Sequence, residues 1–369
     1  MAIYKIFPQK STTLYSYYPT LNAGLDEILE LSTYESIEGT SEVSRPLIQF
    51  QQDEIDDVID NKVNGASYDA YLKLSLAHAS QIPLDYTIYC YPLATTWDMG
   101  VGRLANSPIT TDGASWGYKD QASGSVWFTA GNFPNQTTGS YSGTNIGGGL
   151  WYYDPYYEAT QSFSFSSNKD IELKVTNTVE DLYSGQIPAN TGFILKHSDS
   201  IEFTSASKFE LKYFSSTTHT IYPPYLEIRW NDFLYNTGSQ TVINSDLYVT
   251  SIGNNKNYYQ QDSVQRFRIK IRPKYPPRTF SASSFSFNIS NYVFPTSSYW
   301  SLKDLDSEEI VVDYDTTYTK ISCDANGSYF DLYMNGLEPE RWYQLLFKTV
   351  LDNGETVVFD ENYSFKVIR

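Results

Sequence analysis

The sequence predicts an all-β protein: an N-terminal jelly-roll-like β-sandwich over residues 1–235, then a C-terminal immunoglobulin-like β-sandwich over residues 236–369. Three observations lead there. Aromatic residues make up 16% of the 369 residues, with 33 tyrosines, and such rings fit half-buried pleated surfaces. Short runs alternate apolar and polar side chains with period two. Turn residues separate those runs at sandwich spacing.

Taken in order, Ile3–Phe7, Ile28–Leu31 and Ser44–Phe50 read as strands, with turn chemistry at Tyr18–Gly24. Gln52–Asn61 carries Ile55, Val58 and Ile59 at helical spacing with acids between them, so it is the clearest helix in the chain. Ser67–His78 and Tyr86–Tyr91 return to alternation. Residues 95–160 then form a long insertion of Gly, Ser, Thr and Asn that carries Trp97, Trp116, Trp127 and Trp151. Polar stretches of this kind are packed by their own aromatics and often hold binding residues. Ser162–Thr178 reads as strand, Val179–Ser184 as a short helix, and Gly192–Lys196, Phe209–Phe214 and Leu226–Trp230 as strands. Phe233–Gln240 has linker composition. Beyond it, Leu247–Ile252, Arg266–Ile271, Ser284–Ile289, Ile310–Tyr314, Tyr329–Met334, Trp342–Lys348, Thr356–Phe359 and Phe365–Ile368 are strands of sandwich length. Asp352-Asn-Gly-Glu is a hairpin signal between two of them.

The net charge is −17, from 26 basic and 43 acidic residues. A field of that sign opposes binding to nucleic acid and to anionic membranes. Cys90 and Cys323 lack any CxxC spacing and read as small buried hydrophobes, and the opening Met1–Pro8 has no signal-peptide core. The expectation is folding in a reducing cytoplasm. His78, His197 and His219 are scattered without metal-ligand spacing, and no nucleophile-elbow, Walker or dinucleotide-binding pattern occurs.

Three constellations remain as candidate sites. Asp154 and Glu158 stand beside Trp151, Tyr152, Tyr153, Tyr156 and Tyr157, which fits a packed loop or interface, a glycan contact, or the acid pair of a glycan hydrolase. Asn22, Asp26 and Glu27 read as an empty acidic turn, with no cofactor; a structural calcium, such as jelly rolls often hold through turn acids and carbonyls, is the alternative. Third, Arg266, Arg268, Lys270 and Arg272 alternate with Phe267, Ile269 and Ile271, and Lys274 extends the row. In a strand, the cations share one side. They would attract an acidic neighbouring subunit or a second copy of the chain, or else protect an edge strand from aggregation.

The run Thr13-Leu-Tyr, Pro19-Thr-Leu-Asn-Ala-Gly, Ile28-Leu-Glu-Leu and Arg45-Pro-Leu-Ile-Gln-Phe resembles the opening of DNRLRE-type domains. The likeness continues in order through Ala70–Leu74, Thr96–Asp98, Leu173–Val179, Asn190–Lys196 and Pro223–Ile228, covering about residues 1–232. It implies a jelly roll of the carbohydrate-binding-module type. Pro295–Asp306, Tyr318–Asp324 and Gly336–Tyr343 resemble structural proteins of marine tailed phages, chiefly cyanobacterial myophages. The resemblance implies a non-enzymatic virion component, with the neck as first placement, that docks on other virion proteins and on itself. Trp116, Trp127, Trp151 and Tyr153 would be its aromatic anchors. A virion-displayed glycan-binding module and a glycan hydrolase are the other two readings.

Overall fold

In a computed structural model, the structure describes residues 2–35, 41–127, 136–137, 147–164, 166–198, 202, 208–275 and 292–369. It is an all-β sandwich protein. The chain forms two compact units, one of Lys5–Gly65 and Asp69–Ile228, the other of Met1–Tyr4, Ala66–Tyr68 and Arg229–Arg369.

Of β1 (Ala2–Ile6) and β5 (Tyr68–Leu74) the first unit takes Lys5–Ile6 and Asp69–Leu74, and it holds β2 (Pro8–Tyr15), β3 (Ile28–Glu35), β4 (Ser41–Phe50), β6 (Leu76–Ser80) and β7 (Asp85–Pro92) whole. The insertion adds four two- or three-residue strands, β8 (Tyr118–Asp120), β9 (Ser125–Val126), β10 (Gln136–Thr137) and β11 (Trp151–Tyr152). β12 (Ala159–Ser164), β13 (Ile171–Lys174), β14 (Phe193–His197), β15 (Phe209–Phe214) and, as far as Ile228, β16 (Tyr225–Trp230) complete it. One sheet has the order β1-β16-β5-β13; the larger one runs β12-β7-β14-β4-β3-β15-β6, with β2 also on β4. The run read as one strand over Ser67–His78 is divided at Ser75: β5 belongs to the smaller sheet and β6 to the larger.

Two helical segments lie beside the strands. α1 (Gln52–Asp57) continues into a π-helical turn over Val58–Val63 and ends where Asn64 turns left-handed at φ 48°. Ile55, Val58, Ile59 and Val63 are its buried apolar side. α2 (Thr176–Ser184) begins earlier than the sequence predicts, so Thr176–Thr178 are helical. The Thr176 hydroxyl accepts the Ala70 amide at 3.0 Å, and Thr178, Val179 and Leu182 are buried.

The second unit contains β17 (Thr241–Val242), β18 (Tyr248–Ile252), β19 (Tyr258–Gln260), β20 (Val264–Pro273), β21 (Tyr292–Val293) and β22 (Ser298–Asp304). β23 (Ile310–Val312), β24 (Ser322–Asp324), β25 (Gly327–Tyr333), β26 (Trp342–Val350) and β27 (Thr356–Ile368) follow. One sheet is β17-β21-β20-β25-β24 with β18 on β20; the other is β19-β27-β26-β22-β23. With β18, β20, β25 and β24 in the places of strands A, B, E and D, and β22, β26 and β27 in those of C, F and G, this is the immunoglobulin-like arrangement. Its core stacks Trp300 of β22 on Phe330 of β25, ring centroids 5.0 Å apart, where immunoglobulin domains also bury a tryptophan. Tyr343, near the start of β26, donates its hydroxyl to the Glu338 carbonyl at 3.1 Å, which closes a tyrosine corner. Ile3 packs on this same core.

The two runs read as separate strands, Thr356–Phe359 and Phe365–Ile368, form one strand, β27, with a register shift opposite Leu345–Phe347. Ser284–Ile289 lies outside the described residues. Phe233–Gln240 has linker composition, yet it is partly tied down: the Cys323 amide donates to Leu234 at 2.9 Å and the Asn236 amide to Cys323 at 3.0 Å. The compact units accordingly divide at Ile228/Arg229, before that segment, where the composition places the boundary at 235/236.

Candidate binding surface

The insertion folds back on its own unit through its tryptophans. Trp116, Trp127 and Trp151 are 3%, 3% and 1% exposed and pack with Leu14, Leu47, Leu93 and Ile194 in one core cluster. The Trp97 indole donates to the Thr191 carbonyl at 2.9 Å and the Trp127 indole to Ser115 at 2.8 Å. Three of the four expected anchors are therefore interior residues and cannot meet a partner. Large rings in a polar stretch supply a core for it just as readily as a contact surface. Tyr153, the fourth, is 49% exposed.

Arg45 sits in the middle of this cluster, fully buried. Its guanidinium makes a two-pronged pair with Glu202 at 2.8 and 2.7 Å and donates to the Gly148 carbonyl at 2.8 Å. The Trp116 and Trp151 rings flank it, 4.9 and 5.2 Å from its central carbon. Lys196 approaches Glu202 at 3.3 Å. A Cβ on Gly148, where φ is +85°, would stand 2.6 Å from the Arg45 guanidinium, so only glycine fits. A fully buried carboxylate between two buried cations is a structural centre.

The calcium reading fails at Asn22. Its side-chain amide donates to the Met99 and Ala114 carbonyls, both at 2.8 Å, and its oxygen accepts the Gly24 and Gly102 amides at 3.2 and 2.8 Å. That saturates the buried side chain and leaves no oxygen facing a cation. Asp26 accepts the Leu104 amide at 2.9 Å, and burial pushes its carboxyl above the ordinary range. Glu27 lies 3.9 Å from Arg103. Among the described residues no group of His, Cys, Asp and Glu could hold a metal ion.

A different surface emerges around the turn that follows β11. Tyr89 and Tyr91 of β7 stack at 6.3 Å, and Tyr153 meets Tyr91 at 5.8 Å. Tyr152, Tyr157 and Tyr156 make a second group in the same stretch, at 5.8 and 5.0 Å between successive rings. Carboxylates fix the hydroxyls: Tyr91 donates to Glu158 at 2.6 Å, Tyr157 to Asp181 at 2.7 Å, and Tyr183 to Asp60 at 2.5 Å. Tyr156 is 50% exposed, and Tyr183 is exposed too. The Tyr183 hydroxyl pKa is raised by its hydrogen bond to Asp60 and by that charge, and the Tyr157 hydroxyl is raised by desolvation and then by Asp181. Asp154 is a turn former: its Oδ1 accepts the Tyr156 amide at 2.9 Å. Glu158 is exposed. The helical segments beside this row add exposed Asp53, Asp57, Asp60 and Glu180.

In the second unit β20 places the cation row as the alternation predicts, with Phe267, Ile269 and Ile271 buried. It is an interior strand, with β18 on one side and β25 and then β21 on the other, so the edge-protection reading fails. Two of the cations are neutralised. Arg266 pairs with Asp331 through two bonds of 2.8 and 2.7 Å, and Arg268 with Asp324 through two of 2.9 and 2.8 Å. Arg266 also lies over the Tyr329 ring at 4.3 Å. Lys270, Arg272 and Lys274 are exposed, with no ion pair among the described residues.

Sequence reasoning found the Tyr153–Glu158 stretch but missed its partners Tyr89, Tyr91, Asp181, Tyr183 and Asp60. They lie far off in sequence and no local motif joins them; only the alternation of β7 hinted that Tyr89 and Tyr91 point together. Comparison of the chain with protein-family models, with curated proteins and with solved structures finds no match.

Proposed function

We propose that this chain is a non-enzymatic structural component of a tailed-phage virion, which docks on other virion proteins through exposed tyrosines and charge. The observation that carries the reading is the tyrosine–carboxylate row. Buried Tyr91 and half-buried Tyr157 are held by hydroxyl–carboxylate bonds and form a fixed base, beside which Tyr153 and Tyr156 stand exposed. Exposed rings packed on such a base, Tyr153 on Tyr91 and Tyr156 on Tyr157, give contact area at little entropic cost, as hot-spot residues do. The DNRLRE-like and phage-protein-like motifs point the same way, and the neck remains the first placement. Peptide mass spectrometry of gradient-purified particles should find the chain at a fixed stoichiometry. A chain present in infected cells and missing from intact particles would refute the proposal.

One observation favours glycan contact as a second reading: Tyr153 presents an open ring face beside an exposed acid, Glu158, which suits stacking on a sugar. A glycan array with the purified chain and Tyr153→Ala tests it, since Trp151 is interior. Hydrolysis is the weakest reading. Asp154 is engaged in its turn and Glu158 lies open to solvent, whereas glycoside cleavage needs two carboxyls flanking a cleft.

A further inference from the structure

We infer that copies of this chain bind one another head to tail, the tyrosine–carboxylate face of the first unit in one copy receiving the Lys270–Arg272–Lys274 row of the second unit in the next. The inference rests on the virion-assembly reading and names one partner for it. Charge complementarity carries it. On the first unit, exposed Glu158 lies two residues from exposed Tyr156, whose hydroxyl feels the Asp181 and Glu180 charges, and exposed Asp60 accepts from exposed Tyr183. Among the described residues there, Lys62 is tied to Asp57. On the second unit, five of the chain's 26 basic residues fall within nine positions, Arg266 to Lys274. Asp331 and Asp324 neutralise the first two, which leaves three cations in a row on a chain of net charge −17.

The recognition chemistry already occurs inside the chain. Arg266 lies over Tyr329 while pairing with Asp331, and Lys348 lies over Tyr314 at 4.4 Å. A lysine or arginine over a tyrosine face with a carboxylate at its edge combines cation–π attraction with an ion pair. The neighbours of Lys270 and Arg272 across β18 are Ser251 and Val249, too small to cover them. The two faces differ, so the contact is heterologous; it closes into a ring or extends as a filament according to the rotation between copies.

The test is sedimentation velocity of the full chain across a concentration series at low and high salt. The wild type should self-associate at low salt and dissociate as salt rises. Two variants each remove one face: Lys270→Glu/Arg272→Glu/Lys274→Glu, and Tyr153→Ala/Tyr156→Ala/Glu158→Lys. Each alone should be monomeric, with association weakened by at least about tenfold. Both alter exposed side chains, and circular dichroism checks that they fold. Mixed in equal amounts, they retain one intact face each and should form dimers that grow no further. A wild type that stays monomeric throughout, or a mixture that stays monomeric, overturns the inference. Detection of the chain in purified particles reports separately on the assembly reading, which stands if the chain is in particles but monomeric in solution.

Discussion

Arg45 shows how one residue organises a large polar insertion. Its guanidinium joins β4 to Gly148 and to Glu202, with the Trp116 and Trp151 rings on either side. Arg45→Met keeps most of the volume but leaves Glu202 with Lys196 as its remaining cation. Removing one member of a buried ion pair costs about 3–5 kcal/mol. Urea unfolding followed by tryptophan fluorescence should show the midpoint falling accordingly; an unchanged midpoint would mean the pair contributes nothing. A second residue, His197, is buried with neither ring nitrogen hydrogen-bonded, its ring 3.6 Å from that of Phe209. Burial, and then the Lys196 charge, hold its pKa at about 3, against an ordinary 6.5. Between those values the unfolded chain binds the proton and the folded chain does not. The contribution of this site to stability is thus complete above 6.5 and falls as pH drops toward 3. His197→Phe should flatten the dependence of Tm on pH in that window. A curve that keeps its full slope would assign the acid sensitivity elsewhere.

At the scale of elements, the insertion is held by a few saturated polar side chains as well as by its rings. Asn22 bridges the opening turn to the segment that contains Met99, Gly102 and Ala114 through four hydrogen bonds. A Cβ on Gly100, where φ is +71°, would come within 2.5 Å of its amide oxygen. Asn22→Ala strips partners from two carbonyls and two amides and should cost at least about 3 kcal/mol, with faster amide hydrogen exchange at Gly102. Unchanged exchange there would mean that other contacts hold the segment. This is also where the sequence was least legible. Strands with clean alternation, such as Val264–Pro273 and Phe209–Phe214, could be read directly, because one face is buried and the other wet. β2 (Pro8–Tyr15) carries Ser11, Thr12 and Thr13 in the interior of its unit, so its burial leaves no hydrophobic trace. The tryptophans of the insertion were visible as a group, but nothing local distinguishes a ring that faces Leu14 from one that faces a partner. The π-helical turn after α1 likewise has no signal of its own, since the same apolar spacing serves both helix types.

Across the whole molecule, net charge is distributed unevenly enough to matter. The bulk −17 predicts a chain that repels nucleic acid. The paired Arg266 and Arg268 show that a basic run counted from sequence overstates the free positive charge. The fold class follows from alternation and turn spacing; the division into compact units does not, because it depends on which distant residues each segment joins. The second unit takes Met1–Tyr4 and Ala66–Tyr68 along with Arg229–Arg369. Tyr4 sets its ring 5.9 Å from Tyr333, and Ile3 enters the core around Trp300 and Phe330. A gene cut at codon 236 therefore yields a fragment missing part of its own interior. Such a fragment should melt at lower temperature than the same half inside the intact polypeptide, in a calorimeter scan that resolves the two transitions; identical melting would show the leading residues to be dispensable. During synthesis, Ala2–Tyr4 must wait for Arg229–Arg369, made far later, before their own module can close, so a bulky group attached at Ala2 would disturb that later module more than the strands that follow Ala2 directly.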